Sequence, residues 1–386
     1  MSRRQRQRYD VAVVGAGAFG AWTAYMLQQR GKKVALLDAY GPGHSRSSSG
    51  GETRIMRMGY GPDQLYTRFA LRSMELWSEF MRRSAEQLFV RTGMLWLARQ
   101  RDHYPQKSLA TLTRLHVPCE KLSRAELRRR FPQFSLRGID WGLLEPEAGV
   151  LLARRAVQAV AARAVEDGVE YIGDAVETPR AGARLDAIVT NSGRRVAAKE
   201  FVFACGAWLP SIFPATVGRR MFPSRQELFF FSVPAGSSRY TPPAMPAWYS
   251  YADNIYGTPD IENRGIKIGF DGHGPRFDPE TADRIVSQRG LRAMREHLRA
   301  YFPELRDSPL SETRVCAYEN TANGDFLVDR HPGVANVWIA GGGSGHGFKH
   351  APAVGEYVAG LICEEVHAEP RFAYAAKATV QVRSVY

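Results

Sequence analysis

The sequence predicts a mixed α/β fold in which a parallel unit, built from separated segments, receives two insertions that form an antiparallel unit. Two glycine-rich turns predict the parallel unit: GAGAFG at residues 15–20 and GGGSGHGFK at residues 341–349 each lie between an apolar strand and a helix-like segment. Aromatic-rich strand patterns within residues 227–270 predict the antiparallel unit. Because glycine lets backbone N–H groups approach a ligand closely, both ends of the chain are expected to meet at one large cofactor.

The first forty residues predict a strand, a turn, a helix and a second strand. The elements are a strand at residues 9–14, a helix at residues 18–30 and a strand at residues 33–37. Gly15 permits a tight turn, Gly17 lets the backbone approach a pyrophosphate, and Gly20 lets the helix pack closely on the strand. Asp38 ends the second strand, where a carboxylate suits a ribose hydroxyl. This context makes the glycine motif a dinucleotide signature, although the motif itself does not separate FAD from NAD.

Hydrophobic spacing, capping residues and turn residues place the remaining elements. Ser123 is expected to cap a short helix that stops before Pro132, and Thr92-Gly93 to form the turn of a hairpin. One predicted helix begins at Pro62, and the others cover residues 124–131, 151–167, 281–300 and 347–363. The predicted hairpin covers residues 89–99, and the predicted strands cover residues 169–172, 201–205, 227–233, 248–251, 265–270, 313–318 and 337–340, with a turn-rich stretch at 178–199.

Composition and charge favour a soluble enzyme. The chain has 386 residues, 44% of them hydrophobic and 24% charged, which is enough for two domains or one large unit. The net charge is +13, but the basic residues, only eight of them lysine, are spread along the chain apart from clusters at residues 3–8 and 128–130. A nucleic-acid-binding protein more often concentrates them on one element, so we expect no nucleic-acid partner. A positive field that attracts small anionic substrates and a merely solvated basic surface both stay open.

Cysteine use and the lack of targeting signals favour the cytoplasm. Cys119, Cys205, Cys316 and Cys363 show no paired or metal-type spacing, which predicts a reducing compartment. The N-terminus lacks the apolar segment of a secretory signal, and the sequence does not end in a peroxisomal tripeptide. Prolines interrupt the one long uncharged run, residues 201–218, so no membrane span is expected.

Later segments favour FAD over a nicotinamide cofactor. Residues 201–208, FVFACGAW, predict a strand that ends in a glycine turn at Gly206, which could pass the pyrophosphate. The turn at residues 341–349 adds a further segment that can face the nucleotide. A nicotinamide-binding domain has little use for such late additions, whereas a flavin that is buried along its whole length needs them.

With these segments in place, the chain resembles the sarcosine oxidase family of amine-oxidising flavoproteins, within the larger D-amino-acid oxidase superfamily. The resemblance spans most of the chain. The motifs that carry it are GAGAFG with Asp38, SSSGGETRIMR at 47–57, FVFACGAW at 201–208, VCAYENT at 315–321 and GGGSGHGFK at 341–349. We therefore expect a discontinuous Rossmann-like FAD-binding domain at residues 1–85, 145–215 and 310–386, with an inserted substrate domain of mixed or antiparallel sheet at residues 86–144 and 216–309.

The resemblance implies covalent attachment of the flavin through a thioether between Cys316 and the 8α-methyl group. From the residues alone, Cys316 is more simply a small buried hydrophobe on a strand. A covalent link would prevent dissociation of the cofactor and raise its reduction potential, both useful for oxidising unactivated amines. The other residues expected to bind FAD are Gly15, Gly17, Ala18, Phe19, Gly20, Asp38, Ser49, Thr53, Arg54, Val176, Gly206, Trp208, Gly343, Gly345, Gly347, Phe348 and Lys349.

The resemblance also assigns four cationic side chains to the active site. By the match of TRIMR, Arg54 lies against the flavin and Arg57 binds the substrate carboxylate, for which Lys349 is the second anchor. An arginine fork with a lysine point charge suits a carboxylate. Lys267 matches the lysine that contacts flavin N5 through water and promotes the reaction with oxygen, because a cation there stabilises superoxide-like charge. A solvated surface pair is the alternative for the two arginines.

Two tyrosines and one departure from the family complete the predicted site. Tyr256 and Tyr318 match active-site tyrosines near the substrate, although either could be a core aromatic residue. Asp271 stands where sarcosine-type members have a histidine, which puts sarcosine itself in doubt as the substrate. We expect this carboxylate to accommodate a second cationic or hydroxyl group on the substrate. His346 and His350 have metal-like spacing without an evident third ligand, so no metal is expected.

The predicted activity is FAD-dependent oxidation of the C–N bond of a secondary amine that bears a carboxylate, such as an N-methyl or cyclic amino acid. The neutral amine would give a hydride equivalent to the flavin, the imine would hydrolyse, and oxygen would reoxidise the flavin to give hydrogen peroxide. No strong base is needed if the amine binds unprotonated. A flavin dehydrogenase with another electron acceptor and a non-catalytic flavoprotein assembly factor stay as alternatives. The expected partners are a small amino-acid-like substrate and oxygen, and the expected state is a monomer.

Overall fold

The computed structural model describes residues 8–179 and 182–381, so the arginines before residue 8 and the last residues of the sequence lie outside the described part. The strands are β1 Arg8–Val14, β2 Val34–Leu37, β3 Thr53–Met56, β4 Phe89–Val90, β5 Met94–Ala98, β6 Glu120–Ser123, β7 Trp141–Glu145, β8 Gly149–Leu152, β9 Glu170–Ile172, β10 Ala187–Val189, β11 Arg195–Phe203, β12 Met221–Phe231, β13 Ala247–Ser250, β14 Ile255–Thr258, β15 Ile266–Phe270, β16 Leu310–Thr321, β17 Leu327–Arg330 and β18 Val337–Gly341. The helices are α1 Ala18–Gln29, α2 Gln64–Ser84, α3 His103–Arg114, α4 Arg124–Arg130, α5 Ala153–Glu166, α6 Leu209–Ile212, α7 Gln288–Tyr301 and α8 Ala351–Ile362.

The first sheet forms from segments that are far apart in the sequence. Its strands run in the order β17-β18-β11-β1-β2-β9, with β10 paired to β11. The neighbours from β18 to β9 pair in parallel, whereas β17 and β10 pair antiparallel with their partners. All four residues of β2 are buried, as expected of a strand that is covered on both faces. The predicted parallel unit of separated segments is therefore confirmed.

Two helices from opposite ends of the chain pack against each other beside this sheet. Nine of the twelve residues of α1 are buried. Gly355 of α8 lies so close to α1 that a Cβ atom there would stand 2.6 Å from the carbonyl carbon of Trp22. This close approach joins the first strand-turn-helix unit to the C-terminal glycine turn, so that both glycine-rich turns reach the same edge of the sheet.

The second sheet has eight strands in the order β16-β12-β15-β14-β13-β5-β7-β6. Its neighbours pair antiparallel, except for the parallel pair of β13 with β5. Strands β12 and β16 pair over eleven residues, with an irregularity between Phe230 and Phe231. A small third sheet has the order β3-β8-β4. The mixed α/β class with an inserted, mostly antiparallel sheet is confirmed.

Three local predictions differ from the structure. The hairpin at residues 89–99 is wrong, because β4 pairs with β8 in the small sheet while β5 belongs to the eight-stranded sheet. Helix α7 begins seven residues after the predicted start at residue 281, where the Ser287 side chain caps it by accepting the N–H of Gly290. Strand β10 and the start of β11 lie inside the stretch predicted as turn-rich.

The structure also bears on the predicted boundaries and on one cap. The predicted domain boundary at residue 310 coincides with the first residue of β16, which pairs with β12 in the eight-stranded sheet, and the division into domains stays a prediction. The Ser123 cap of α4 is confirmed: its side chain accepts the N–H of Glu126, and the Glu126 carboxylate accepts the N–H of Ser123 in return. Within residues 8–179 and 182–381, none of the helices has the length and apolar character needed to cross a bilayer.

Candidate active site

A cavity of about 400 Å³ opens where the parallel strands end. The end of β1, the residues that follow β2 and β11, and β18 supply part of its wall through Val14, Asp38, Ala204 and Ala340. The position at the carboxyl ends of parallel strands and the size are those of nucleotide and cofactor sites in α/β sheets. The predicted cofactor residues that line it are Gly15, Gly17, Ala18, Phe19, Asp38, Ser49, Arg54, Val176, Gly206, Trp208, Cys316, Gly343, Gly345, Gly347 and Phe348.

The N-terminal glycine turn has no room for a side chain at Gly15 or Gly20. Gly15 has a φ of +99°, and a Cβ atom there would stand 2.5 Å from the carbonyl oxygen of Ala204. A Cβ atom on Gly20 would stand 1.8 Å from the carbonyl oxygen of Gly15, so Gly20 serves the packing of the turn. The N–H of Ala16 donates to Asp38 Oδ2 at 2.7 Å. These contacts hold the Asp38 carboxylate at the cavity wall, as a ribose contact requires.

A smaller cavity of about 80 Å³ adjoins the first. Both cavities are lined by Arg54, Cys316 and Tyr318. The other residues of the predicted active site line the smaller cavity: Arg57, Tyr256, Lys267, Asp271 and Lys349. The structure therefore brings together the whole predicted catalytic and substrate-binding set, although the roles assigned to these residues stay predictions.

Three residues predicted to bind the cofactor do not line the larger cavity. Gly20 packs inside the turn, as described above. Thr53 lines neither cavity and instead accepts hydrogen bonds from Lys267. Lys349 lines only the smaller cavity, where its other predicted role, as a substrate anchor, places it. The motifs identified segments that line the two cavities, but they did not separate residues that line the larger cavity from residues that support it.

Lys267 lies on β15, between β12 and β14, and is 2% exposed. Its Nζ donates to the carbonyl oxygen of Thr53 at 2.8 Å and to its Oγ1 at 2.7 Å. Burial, and after it the Arg54 guanidinium, hold the pKa of Lys267 well below its usual value. Arg54 in turn donates to the carbonyl oxygen of Ser48 at 2.6 Å and lies 3.8 Å from Cys316 Sγ. An anion that arises near Lys267 would favour the protonated, positively charged form of its amine.

Arg57 and Lys349 bring two buried cations to the smaller cavity. The Arg57 guanidinium lies 4.6 Å from the ring centre of Tyr60 and 4.7 Å from that of Trp96. Lys349 Nζ donates to the Tyr60 hydroxyl at 2.9 Å and to the carbonyl oxygen of His346 at 3.3 Å. Burial, followed by the Arg57 charge, holds the pKa of Lys349 well below its usual value. The pair is therefore suited to an anionic group of a ligand.

Asp271 and two tyrosines form the polar part of the same cavity. The Tyr318 hydroxyl donates to Asp271 Oδ1 at 3.1 Å, and Tyr318 is also hydrogen-bonded to Tyr256. Burial is the main cause that raises the pKa of both tyrosines, and the negative charge of Asp271 adds to it. Both hydroxyls therefore keep their protons near neutral pH and act as hydrogen-bond donors.

Sequence reasoning missed Glu319, which lines the larger cavity. The N–H groups of Gly342 and Gly343 donate to its carboxyl group, whereas Oε2 has no hydrogen-bond partner in the described part of the chain. Burial raises the pKa of Glu319 to about 7. The sequence feature that points to Glu319 is its place in the motif VCAYENT, three residues after Cys316.

Two further residues that the sequence did not single out position the site. Tyr60 contacts the buried cations from the segment after β3. Gln226 on β12 donates from Nε2 to the carbonyl oxygen of Gly272 at 3.0 Å, which fixes the turn that follows Asp271. Neither residue lies in a recognisable motif, and only the fold brings them to the cavity.

The two histidines with metal-like spacing serve Tyr60. His350 Nε2 lies 2.7 Å and His346 Nδ1 lies 3.3 Å from the Tyr60 hydroxyl. Among the residues that the structure describes, no group of three or more His, Cys, Asp and Glu side chains is arranged to hold a metal ion.

Comparison with known proteins assigns the family. The DAO family, described as FAD dependent oxidoreductase, matches residues 10–361. The chain belongs to this family. Among the relatives in it, monomeric sarcosine oxidase of Streptomyces avermitilis is 32% identical over 369 residues, covering 94% of this chain and 95% of that protein. Peroxisomal sarcosine oxidase of Homo sapiens is 31% identical, over 91% of each chain.

Solved structures show the same fold. The L-proline dehydrogenase of P. horikoshii matches with a TM-score of 0.83 at 22% identity, over 95% of this chain and 97% of that chain. A thermally stable mutant of fructosyl peptide oxidase matches with a TM-score of 0.80 at 22% identity, over 95% and 93% of the two chains. Together with the family match, these likenesses make the chain an FAD-dependent oxidoreductase of the DAO fold, related to sarcosine and N-methyl amino acid oxidases.

The larger cavity fits the cofactor of the family. The crowded turn at Gly15 and the N-terminus of α1 offer backbone N–H groups to a pyrophosphate, and Asp38 offers a carboxylate to a ribose. The C-terminal turn approaches closely too, since a Cβ atom on Gly345 would stand 2.6 Å from the ring of Tyr318. The unpartnered Oε2 of Glu319 is the kind of buried polar atom that a bound group satisfies.

Proposed function

We propose that the chain oxidises the C–N bond of a small amino acid whose nitrogen is a secondary amine, such as an N-methyl or cyclic amino acid, and that oxygen accepts the electrons to give hydrogen peroxide. The observation that carries this proposal is the pair of Arg57 and Lys349, 5% and 6% exposed, beside the cofactor cavity. A carboxylate between them gains charge-assisted hydrogen bonds from both, and it favours the charged form of Lys349, which burial disfavours.

The side chains of the smaller cavity orient the substrate and control charge. When bound, FAD supplies the two-electron acceptor for the C–H bond next to the nitrogen and passes the electrons to oxygen. Arg57 and Lys349 hold the carboxylate, so that the C–H bond is presented at the boundary with the larger cavity. Tyr256 and Tyr318 donate hydrogen bonds, and Lys267, when protonated, favours negative charge that develops on oxygen.

We also propose that Cys316 carries the flavin covalently, as the resemblance implies. Cys316 is 7% exposed and lines both cavities, so its thiol would be within the wall that holds the flavin and could form the thioether there. Acid precipitation tests the link: yellow colour should stay with the pellet of the wild-type protein and move to the supernatant for Cys316→Ser. A white pellet from the wild-type protein would remove the covalent proposal.

Other features of the proposed enzyme follow from the sequence. We propose two domains. A Rossmann-like FAD-binding domain comprises residues 1–85, 145–215 and 310–386, and a substrate-binding domain comprises residues 86–144 and 216–309. A cytoplasmic location and a monomeric state complete the proposal. The cysteine pattern supports the cytoplasmic location, and the relative named monomeric sarcosine oxidase supports the monomeric state. Size-exclusion chromatography with light scattering tests the monomeric state.

An aerobic screen of amino acids and amines tests the function as a whole. The readouts are bleaching of the flavin absorption and the yield of peroxide per substrate oxidised. We expect N-methyl and cyclic amino acids to bleach the flavin with about one peroxide for each substrate. Bleaching without peroxide would identify a dehydrogenase with another acceptor, and no bleaching by any amine would favour a non-catalytic assembly factor.

A further inference from the structure

Asp271 is the one carboxylate among the described residues that line the smaller cavity, against four cations. The cations are Arg54, Arg57, Lys267 and Lys349. A bound substrate carboxylate would pair with cations of the cavity, but it would not pair with the negatively charged Asp271. A different group of the substrate must therefore contact Asp271.

The structure fixes the backbone of Asp271 from both sides. Its N–H donates to the carbonyl oxygen of Asn254 at 2.8 Å, and the next carbonyl, that of Gly272, accepts from Gln226 Nε2 at 3.0 Å. The side chain is 8% exposed and accepts the hydrogen bond of Tyr318. A carboxylate held in this way is presented in one place, which is what binding of a single charged group requires.

A lysine and two phenols from the surrounding elements face Asp271. Lys349 lies after the C-terminal glycine turn, Tyr256 lies on β14 and Tyr318 lies on β16, and each interacts electrostatically with Asp271. Since both tyrosines hold their protons tightly, they cannot accept a further proton near neutral pH. A carboxylate bound beside Lys349 favours the charged form of that lysine, so among these groups Asp271 is the acceptor.

The substrate brings the complementary charge. A secondary amine in water is protonated near neutral pH, since aliphatic ammonium groups have a pKa of about 10. A protonated nitrogen has no electron pair to support loss of a hydride from the neighbouring carbon. The amine must therefore lose its proton inside the site or enter as the rare neutral form.

We propose that Asp271 is the counter-ion of the substrate ammonium and accepts its proton before oxidation. The N–H bond breaks, its electron pair stays on nitrogen, and the proton forms an O–H bond on the Asp271 carboxyl group. This role rests on the proposed function. In this role Asp271 pairs with the nitrogen that is oxidised and not with a second substituent of the substrate. The expected substrates are therefore zwitterionic amino acids.

Two non-oxidisable ligands of equal shape test the charge contact in the holoenzyme. Betaine carries a trimethylammonium group, and 3,3-dimethylbutanoate carries a neutral tert-butyl group in its place. Both are titrated against the flavin absorption spectrum. The wild-type protein should bind betaine about tenfold or more tightly than the neutral ligand, and Asp271→Asn should remove this preference. Asp271→Glu should retain part of it, and Asp283→Asn, which removes the same charge from an exposed side chain, should leave it unchanged.

The pH dependence of flavin reduction tests the proton transfer. With an N-methyl amino acid from the screen, Asp271→Asn should reduce flavin at least about tenfold more slowly than wild type at pH 7, and the two should converge near pH 10, where the neutral amine is abundant. An unchanged preference for betaine in Asp271→Asn, or an equal loss of rate at both pH values, would overturn the proposal. A change confined to selectivity between basic and neutral amino acids would overturn it too, in favour of a second substrate group. Failure of every amine to reduce the wild-type flavin would instead refute the proposed function.

Discussion

At the level of single residues, the proposed role of Lys349 as a carboxylate anchor predicts that substrate binding depends on pH. Its pKa in the free site is held low by burial and by Arg57, and a carboxylate placed beside Nζ raises it. Binding of a carboxylate therefore takes up a proton at any pH between the two pKa values. The dissociation constant of 3,3-dimethylbutanoate should rise with pH in that window, by up to about tenfold per pH unit.

Calorimetric titration in two buffers of different ionisation enthalpy counts this proton. Lys349→Met should abolish the uptake. Lys267→Met, a change to the other buried lysine of the cavity, is the matched control and should retain it. If the uptake disappears only in Lys267→Met, the carboxylate does not bind beside Lys349.

Glu319 predicts a different pH effect, on stability. Its pKa in the folded chain, about 7, lies above the ordinary value of 4.5, so its contribution to stability is present below about pH 4.5 and is lost as the pH rises through about 7. Relative to Glu319→Gln, the flavin-free wild-type protein should lose up to about 3 kcal/mol of unfolding free energy across this interval. Denaturant unfolding at pH 5 and pH 8 measures the difference. A constant difference between the two proteins would show that Glu319 does not titrate in this range.

At the scale of elements, the contact between α1 and α8 depends on one glycine. A Cβ atom at Gly355 would stand 2.6 Å from the carbonyl carbon of Trp22 and 2.9 Å from the nitrogen of Thr23, and backbone cannot move aside cheaply. Gly355→Ala should destabilise the protein by about 1–3 kcal/mol through overpacking. The three atoms nearest to a Cβ atom at Gly360 in the same helix all belong to the movable side chain of Val366, so Gly360→Ala should change stability by less than about 1 kcal/mol. Thermal unfolding compares the two, and equal losses would contradict the packing argument.

The elements that sequence predicts well are those with local signals. The cap at Ser123 and the glycine turn before α1 are determined by neighbours within a few residues, and the structure has both. The hairpin at Thr92-Gly93 failed because a turn residue indicates that the chain bends, not which strand it pairs with. The parallel pairing of β13 with β5 brings together residues about 150 positions apart, and no local pattern specifies it.

The candidate site divides in the same way. Motifs carried the glycine turns and three of the four cations, Arg54, Arg57 and Lys349, because these residues lie in continuous segments, whereas Lys267 was assigned by the resemblance alone. Tyr60, Gln226 and Glu319 act through contacts that exist only after folding, so their roles could not be read from spacing. Thr53 is the opposite case. Its place in a motif predicted a contact with the cofactor, whereas in the folded chain it accepts a hydrogen bond from Lys267.

At the scale of the whole molecule, Arg371 ties the C-terminal segment to two distant parts of the chain. Its guanidinium binds the carboxylate of Asp63, at the start of α2, at 2.6 Å and 3.0 Å, and that of Asp325, just before β17, at 2.7 Å and 3.2 Å. Asp325 also accepts a hydrogen bond from the Tyr66 hydroxyl at 3.0 Å. The segment after α8 is thus held to the side of the molecule that carries Lys349.

Arg371→Ala should cost about 1–2 kcal/mol, since it leaves two carboxylates without their partner. It should also expose the C-terminal segment to limited proteolysis. Arg306→Ala is the control, because the Arg306 side chain is 70% exposed and forms a surface ion pair with the adjacent Asp307; it should change stability by less than about 0.5 kcal/mol. If both variants resist proteolysis like the wild-type protein, the ion pairs of Arg371 are not what holds the C-terminal segment in place.

Strand β16 restricts how this chain can change in length during evolution. It pairs with β12 at eleven positions, and its only irregularity lies at the end that begins with Leu310. An extra residue can be absorbed there, because a bulge takes it up without disturbing the pairs beyond. An extra residue between Val315 and Tyr318 would instead turn each following side chain to the opposite face and move Cys316 or Tyr318 away from the cavities. Insertions and deletions among natural variants of this chain should therefore accumulate before Thr313 and be absent from there to Glu319.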